Sequence, residues 1–159
     1  ILGCAFVQKG LLDSADSVAT EMEQILKREQ SDYTIEYLYN LRGRIHMGSG
    51  DYASAVREFK QALSIGQREQ DQFRHDLAEA YSRMGDFENA LATFREVFDF
   101  NPNYPKSHIA LAELYERQQK PREAIEHYEK FLQIWKNAEK HHPLMRQAMD
   151  RLSTLRQEP

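Results

Sequence analysis

Six histidines, one cysteine and an excess of carboxylates are the residues of this 159-residue chain that could do chemistry. A metal would need several nitrogen, sulfur or carboxylate ligands at fixed spacing. His141 and His142 are adjacent, but no acidic or thiol ligand recurs at a set distance from them. Cys4 stands alone, which excludes an internal disulfide and a multi-cysteine zinc site. Acid and base catalysis would need two carboxyls in distinct environments, whereas Glu113 and Glu116, like Glu126 and Glu129, repeat at the three-residue spacing of a solvated helix face. Gly48-Ser49-Gly50 has the glycines of a phosphate loop but neither the following Lys-Ser/Thr nor a preceding strand. The sequence therefore assigns no catalytic, cofactor-binding or metal residue, and the chain is read as a protein that is not an enzyme.

Composition narrows the class. Hydrophobic residues make up 41%, charged residues 29%, the mean hydropathy is -0.73, and 7 Gly and 5 Pro are too few for a low-complexity chain. Lys and Arg number 21 against 25 Asp and Glu, a net charge of -4 that supplies no basic footprint for nucleic acid. No apolar run approaches the roughly 20 residues of a membrane-spanning helix. A cytoplasmic location is expected, with membrane attachment of a longer parent left open. Ile1-Leu2-Gly3-Cys4 has the form of a lipoprotein processing box, yet the segments that precede such a box are not in the sequence, and the same residues fit a repeat column. A start at Ile1 leads us to expect a piece of a longer protein.

Self-comparison is the informative step. Gly50-Asp51-Tyr52-Ala53-Ser54-Ala55 aligns with Gly85-Asp86-Phe87-Glu88-Asn89-Ala90 and with Gln119-Lys120-Pro121-Arg122-Glu123-Ala124, a period of about 34. After each alanine come Val56, Leu91 or Ile125, then Phe59, Phe94 or Tyr128, then Leu63, Phe98 or Leu132, offsets that share one helix face. Upstream, Gly43, Ala78 and Ala112 form a column of small residues, followed three places later by His46, Tyr81 and Tyr115. A hairpin of helices cannot bury its apolar face alone, whereas stacked hairpins share a core. The pattern predicts helices over about 1–9, 12–28, 34–48, 52–66, 70–84, 87–99, 105–118 and 121–138, with Gly10, Gly48, Gly50, Gly85 and Pro121 at turns. About six extra residues between the first two copies are expected to lengthen the helix before Ser31-Asp32. Met145, Ala148, Met149, Leu152 and Leu155 then predict a capping helix at about 142–156.

These motifs carry a resemblance to the tetratricopeptide repeat (TPR), whose pattern is W-x2-L-G-x2-Y, then A-x3-F and a late Pro. The third copy reads His108-x2-Leu111-Ala112-x2-Tyr115 and Ala124-x3-Tyr128. The second reads Arg74-x2-Leu77-Ala78-x2-Tyr81, Ala90-x3-Phe94 and Pro102. In the first, Tyr39-x2-Arg42-Gly43-x2-His46 and Ala55-x3-Phe59, Arg42 replaces Leu and Gln67 replaces Pro. The resemblance implies an all-α fold, a right-handed superhelical solenoid of antiparallel helix pairs. One domain over 1–159 is expected, with a partial repeat at 1–29 and repeats at about 36–69, 71–104 and 105–138.

In the TPR family the first helix of each hairpin lines a concave wall that receives peptides or partner elements. Projected onto this chain, the wall would hold Tyr37, Asn40, Arg44 and Met47, then Gln72, His75, Glu79, Ser82 and Arg83, then Lys106, Ile109, Glu113, Glu116 and Arg117. Chaperone-binding members clamp a terminal carboxylate there, but the corresponding positions hold Asn40, Arg44, Asp76, Lys106 and Ala110, of which only Lys106 agrees, and Asp76 would repel the ligand. The resemblance thus implies a module for protein–protein interaction with a protein or peptide partner, self-association left open, while charge, hydropathy and the absence of site motifs lead us to expect no nucleic acid, no membrane insertion and no cofactor. Two other readings stand beside it. One is a regulatory or oligomerising segment of a larger multidomain, bacterial signalling type of protein, which the stretch Tyr128–Lys136 with Pro143 resembles at its closing repeat. The other is a dedicated secretion-type chaperone.

Overall fold

In the computed structural model, which describes residues 2–28, 32–65, 70–136 and 142–157, the described residues form α-helices and turns with no strand. In chain order the helices are α1 (Leu2–Gln8), α2 (Leu12–Leu26), α3 (Asp32–Ser49), α4 (Tyr52–Ile65), α5 (Gln70–Met84), α6 (Phe87–Phe100), α7 (Pro105–Arg117), α8 (Pro121–Ile134) and α9 (Pro143–Leu155). The fold class is all-α, built of antiparallel helix pairs, as the period requires.

One backbone turn closes each of the first four pairs. Gly10, Gly50, Gly85 and Gln119 adopt φ of +72°, +81°, +87° and +57°. In each turn two crossed hydrogen bonds satisfy the carbonyls orphaned at the helix end. Thus Gly85 N donates to Ser82 O at 3.3 Å and Asp86 N to Tyr81 O at 3.0 Å, and Gln119 N donates to Glu116 O at 2.9 Å and Lys120 N to Tyr115 O at 3.0 Å. The next helix then starts at once. Asp51 and Asp86 cap α4 and α6 by accepting from Ser54 N at 3.1 Å and Asn89 N at 3.2 Å, while Pro121 fills the first position of α8.

The chain divides into two compact units, Ile1–Glu96 and Val97–Pro159, with the division falling inside α6. In the N-terminal unit the small column lets helices approach closely. A Cβ on Gly43 would stand 2.5 Å from the Phe59 ring, and one on Gly3 would stand 2.6 Å from Leu41 Cδ2. Phe59, Phe73 and Phe94 are buried, as are Ala55, Ala78 and Ala90 of the small columns. In the C-terminal unit Ile109, Ala112, Ala124, Tyr128 and Phe131 share one core with Met145, Ala148, Leu152 and Leu155 of α9.

Three expectations are corrected. The extra residues of the first copy do not lengthen α2, which ends at Leu26 where its apolar stripe ends; α3 is instead the longest helix, with 18 residues. Gly48 lies inside α3 rather than in the turn, and a Cβ there would come within 2.7 Å of Leu12 Cδ2, so the start of α2 packs against it. Helix α8 stops at Ile134 instead of 138, because Trp135 serves as its C-cap and its ring packs on Phe131 and, edge-on, on His142 with centroids 5.0 and 4.7 Å apart. Ser31, Gln67 and His141 fall outside the described residues, as do the extreme ends of the first partial repeat and of two repeat copies.

Candidate functional site

Within the N-terminal unit, α1, α3, α4 and α5 surround an open cavity of about 420 Å³. Helix periodicity supplies its walls. Met47 and Gly48 of α3 stand three and four residues after Arg44, and Asp76, Glu79 and Arg83 of α5 follow one another at three and four, so each set lines one stripe. Val7 and Gln8 come from α1, and Tyr52 and the wholly buried Phe59 from α4. The result is an apolar floor of Val7, Met47, Tyr52 and Phe59 below a charged wall.

That wall is fixed by a buried polar network. Arg44 donates to Asp76 Oδ2 through Nη2 at 2.7 Å and Nε at 3.1 Å, and Nε also reaches Asn40 Oδ1 at 3.1 Å. Asn40 Nδ2 donates to the same Oδ2 at 3.0 Å and Gln72 Nε2 to Oδ1 at 3.1 Å. Asp76 and Asn40 are buried, and a buried carboxylate persists only with a partner charge and filled lone pairs. The carboxylate that the sequence made a repeller of anions is neutralised here. Arg83, half exposed, has its guanidinium 3.6 Å from Glu79, whose other oxygen stands 3.8 Å from His75 Nε2.

The structure brings four residues of the expected wall, Arg44, Met47, Glu79 and Arg83, into this cavity, and ties Asn40, Gln72 and His75 to its charged side. Tyr37 does not line it and packs edge-on against Phe73, with centroids 5.5 Å apart. Ser82 is buried.

In the C-terminal unit the residues of α7 are dispersed. Lys106 and Arg117 are exposed. Ile109, 6% exposed, is spent on the core under α9 and presents nothing to a partner. Glu113 accepts from Gln147 Nε2 at 2.7 Å, and Glu116 is held by Tyr128 and Arg151. Gln147 and Arg151 of α9 have thus taken up two carboxylates of the expected wall. Reading the sequence missed Val7, Gln8, Gly48, Tyr52 and Phe59, because a cavity between helices depends on which side chains turn toward the same gap. Asp76 did leave a signal: Arg44, its opposite charge, stands 32 residues earlier, close to one repeat.

The chemistry available is recognition. The cavity holds guanidinium, carboxylate, phenol and apolar groups in fixed places but no nucleophile beside a base. Among the described residues no group of three or more His, Cys, Asp or Glu could hold a metal ion, and no helix is long and apolar enough to cross a membrane.

Comparison with known proteins identifies the repeat. A family profile described as Tetratricopeptide repeat matches residues 75–148, and another of the same description matches 37–65. The curated relatives include Photosystem I assembly protein Ycf3 of Synechococcus sp. (strain CC9605), 29% identical over 83 residues, which are 51% of this chain and 48% of that protein. The chain therefore spans about half the length of that relative. Among solved structures, BtubC (BKLC) from P. vanneervenii is similar with a TM-score of 0.76 at 18% identity, over 97% of this chain and 68% of that one. PcrH in complex with the chaperone binding region of PopB is similar with a TM-score of 0.67 at 20% identity, over 77% of this chain and 97% of that one.

Proposed function

The chain belongs to the tetratricopeptide repeat family, and we propose that it works as a non-enzymatic interaction module that holds a segment of a protein partner at the cavity of the N-terminal unit. One observation carries this reading: four of the side chains that the family register points at a ligand, Arg44, Met47, Glu79 and Arg83, line a single cavity with a fixed charged wall and an apolar floor. Such a surface gives a peptide several modest contacts without paying to order the receptor first. The partner class we favour is a subunit held while a larger complex is assembled. The assembly role that the Synechococcus relative is named for supports that choice, and the complex of PcrH with the chaperone binding region of PopB supports the holding of a segment. Photosystem I itself enters only as the partner of that relative.

The test is affinity capture with the purified chain as bait, comparing wild type with Met47→Glu and Arg83→Glu. Met47 is partly exposed and Arg83 half exposed, so both variants keep the core. Several-fold lower recovery of a specific partner, with unchanged melting, is expected. Equal recovery from all three counts against the cavity. Arg44→Glu is a poor probe, since it would set a second carboxylate against buried Asp76.

A further inference from the structure

In the C-terminal unit two histidines face each other in a way the interaction function does not use. His108 of α7 and His127 of α8 approach through their Nδ1 atoms at 3.0 Å, and His108 Nε2 lies 3.1 Å from the carbonyl oxygen of Pro102. Aromatic rings enclose the pair. Phe98 stacks on His108 with centroids 4.5 Å apart and on His127 at 6.1 Å, while Tyr115 stacks on His127 at 5.6 Å.

The hydrogen-bond geometry fixes the protons. A carbonyl can only accept, so His108 carries its N–H on Nε2 and, being neutral, offers a lone pair at Nδ1. His127 must then donate from Nδ1, which leaves its own Nε2 as the lone pair. The chain from Pro102 through His108 to His127 therefore works with one proton on each ring. A further proton fits only at His127 Nε2, and one more would set N–H against N–H across 3.0 Å. We propose that this pair is an acid-sensitive latch that joins α7 to α8 across the two Nδ1 atoms at neutral pH and loosens on acidification.

The surroundings support the direction. Helix α8 places Lys130, Glu126 and Glu129 around a hollow of about 420 Å³ beside both rings; Lys130 opposes a charge on His108, and the two exposed glutamates favour one. Helix α7 contributes Tyr115, whose ring carries the Lys120 ammonium 6.0 Å from its centroid; α6 contributes the Phe98 ring, and the turn contributes the Pro102 carbonyl, whose hydrogen bond favours a charge on His108 and is outweighed by burial. Burial pushes His127 down to about 4, helped by His108, and burial likewise holds His108 below the usual imidazole value. In the released state both rings meet water and take protons near pH 6.5. The latched state binds fewer protons over the interval from about 6.5 to about 4, so its stability falls as pH falls through that window.

Amide hydrogen exchange over residues 105–112 and 124–131 at pH 7 and pH 5, corrected for intrinsic rates, tests this on the whole chain. The opening equilibrium of these amides is expected to rise at least about ten-fold at pH 5, with far-ultraviolet circular dichroism unchanged. His127→Gln keeps a donor for His108 Nδ1 but cannot take a proton, and its rise is expected to be several-fold smaller. A wild-type rise below about two-fold overturns the latch, as does loss of the helical signal at pH 5 or a variant that responds like wild type. Should the variant fail to fold, proton NMR of the wild type decides: His127 must titrate well below pH 6.5, and two independent titrations near that value overturn the proposal.

Discussion

Tyr128 is wholly buried, and its hydroxyl donates a 2.5 Å hydrogen bond to Glu116 Oε1. Arg151 of α9 holds the same carboxylate, with Nε 3.2 Å from Oε1 and Nη2 on Oε2. Partial burial pushes the Glu116 carboxyl up, but the bonds from Arg151 and Tyr128 outweigh it and keep the group below its ordinary value. A depressed carboxyl contributes stability that is present above its unfolded value, near 4.5, and lost as pH falls through the folded one. Tyr128→Phe is therefore expected to cost about 1 to 2 kcal/mol at pH 7 by urea unfolding. Arg151→Met, at a half-exposed site, should cost no more than about 1 kcal/mol. Both differences from wild type should shrink at pH 3; a gap that stays constant would mean that the carboxylate is not what the two residues hold. None of this was legible in the sequence, which shows Glu116 and Arg151 as ordinary charged helix residues 35 positions apart.

At the scale of the element, the turn after α7 is the informative one. Gly10, Gly50 and Gly85 take the left-handed conformation at little cost, whereas Gln119 repeats it with a side chain, at φ +57°. L residues disfavour that region by about 1 kcal/mol or more. Gln119→Gly is expected to stabilise the chain by about 0.5 to 1 kcal/mol in chemical denaturation, and Gly85→Ala to destabilise it by about 1 kcal/mol. Equal stability of Gln119→Gly and wild type would show that the side chain repays its strain. Most helix ends were legible because glycine, proline and aspartate mark them chemically. The ends of α2 and α8 were not, since Lys27 and Trp135 are acceptable inside a helix and tertiary contacts, not propensity, stop them.

For the molecule as a whole, α9 sets the durability of the C-terminal unit. Met145, Ala148, Leu152 and Leu155 close the core over Tyr128 and Phe131, and each large side chain buried is worth about 1.5 to 3 kcal/mol. A chain ending at Lys136 is expected to lose a large part of its melting temperature and to aggregate in light scattering, with proteolysis starting beyond Val97; unchanged stability and a monodisperse profile would remove α9 from the core. The sequence disclosed the repeat and its period because buried small and aromatic columns must recur for hairpins to stack. The cavity was only half legible: its charged residues sit in register, but its floor draws on α1 and α4, which no column connects. The recurrent turn has a last consequence. Since Gly50 and Gly85 leave the backbone in one geometry, each followed by a capping aspartate, the stretch Asp51–Gly85 begins and ends alike. Its two edges are interchangeable splice points, so tandem duplication of that cassette needs no new loop, and chain length can change in whole modules.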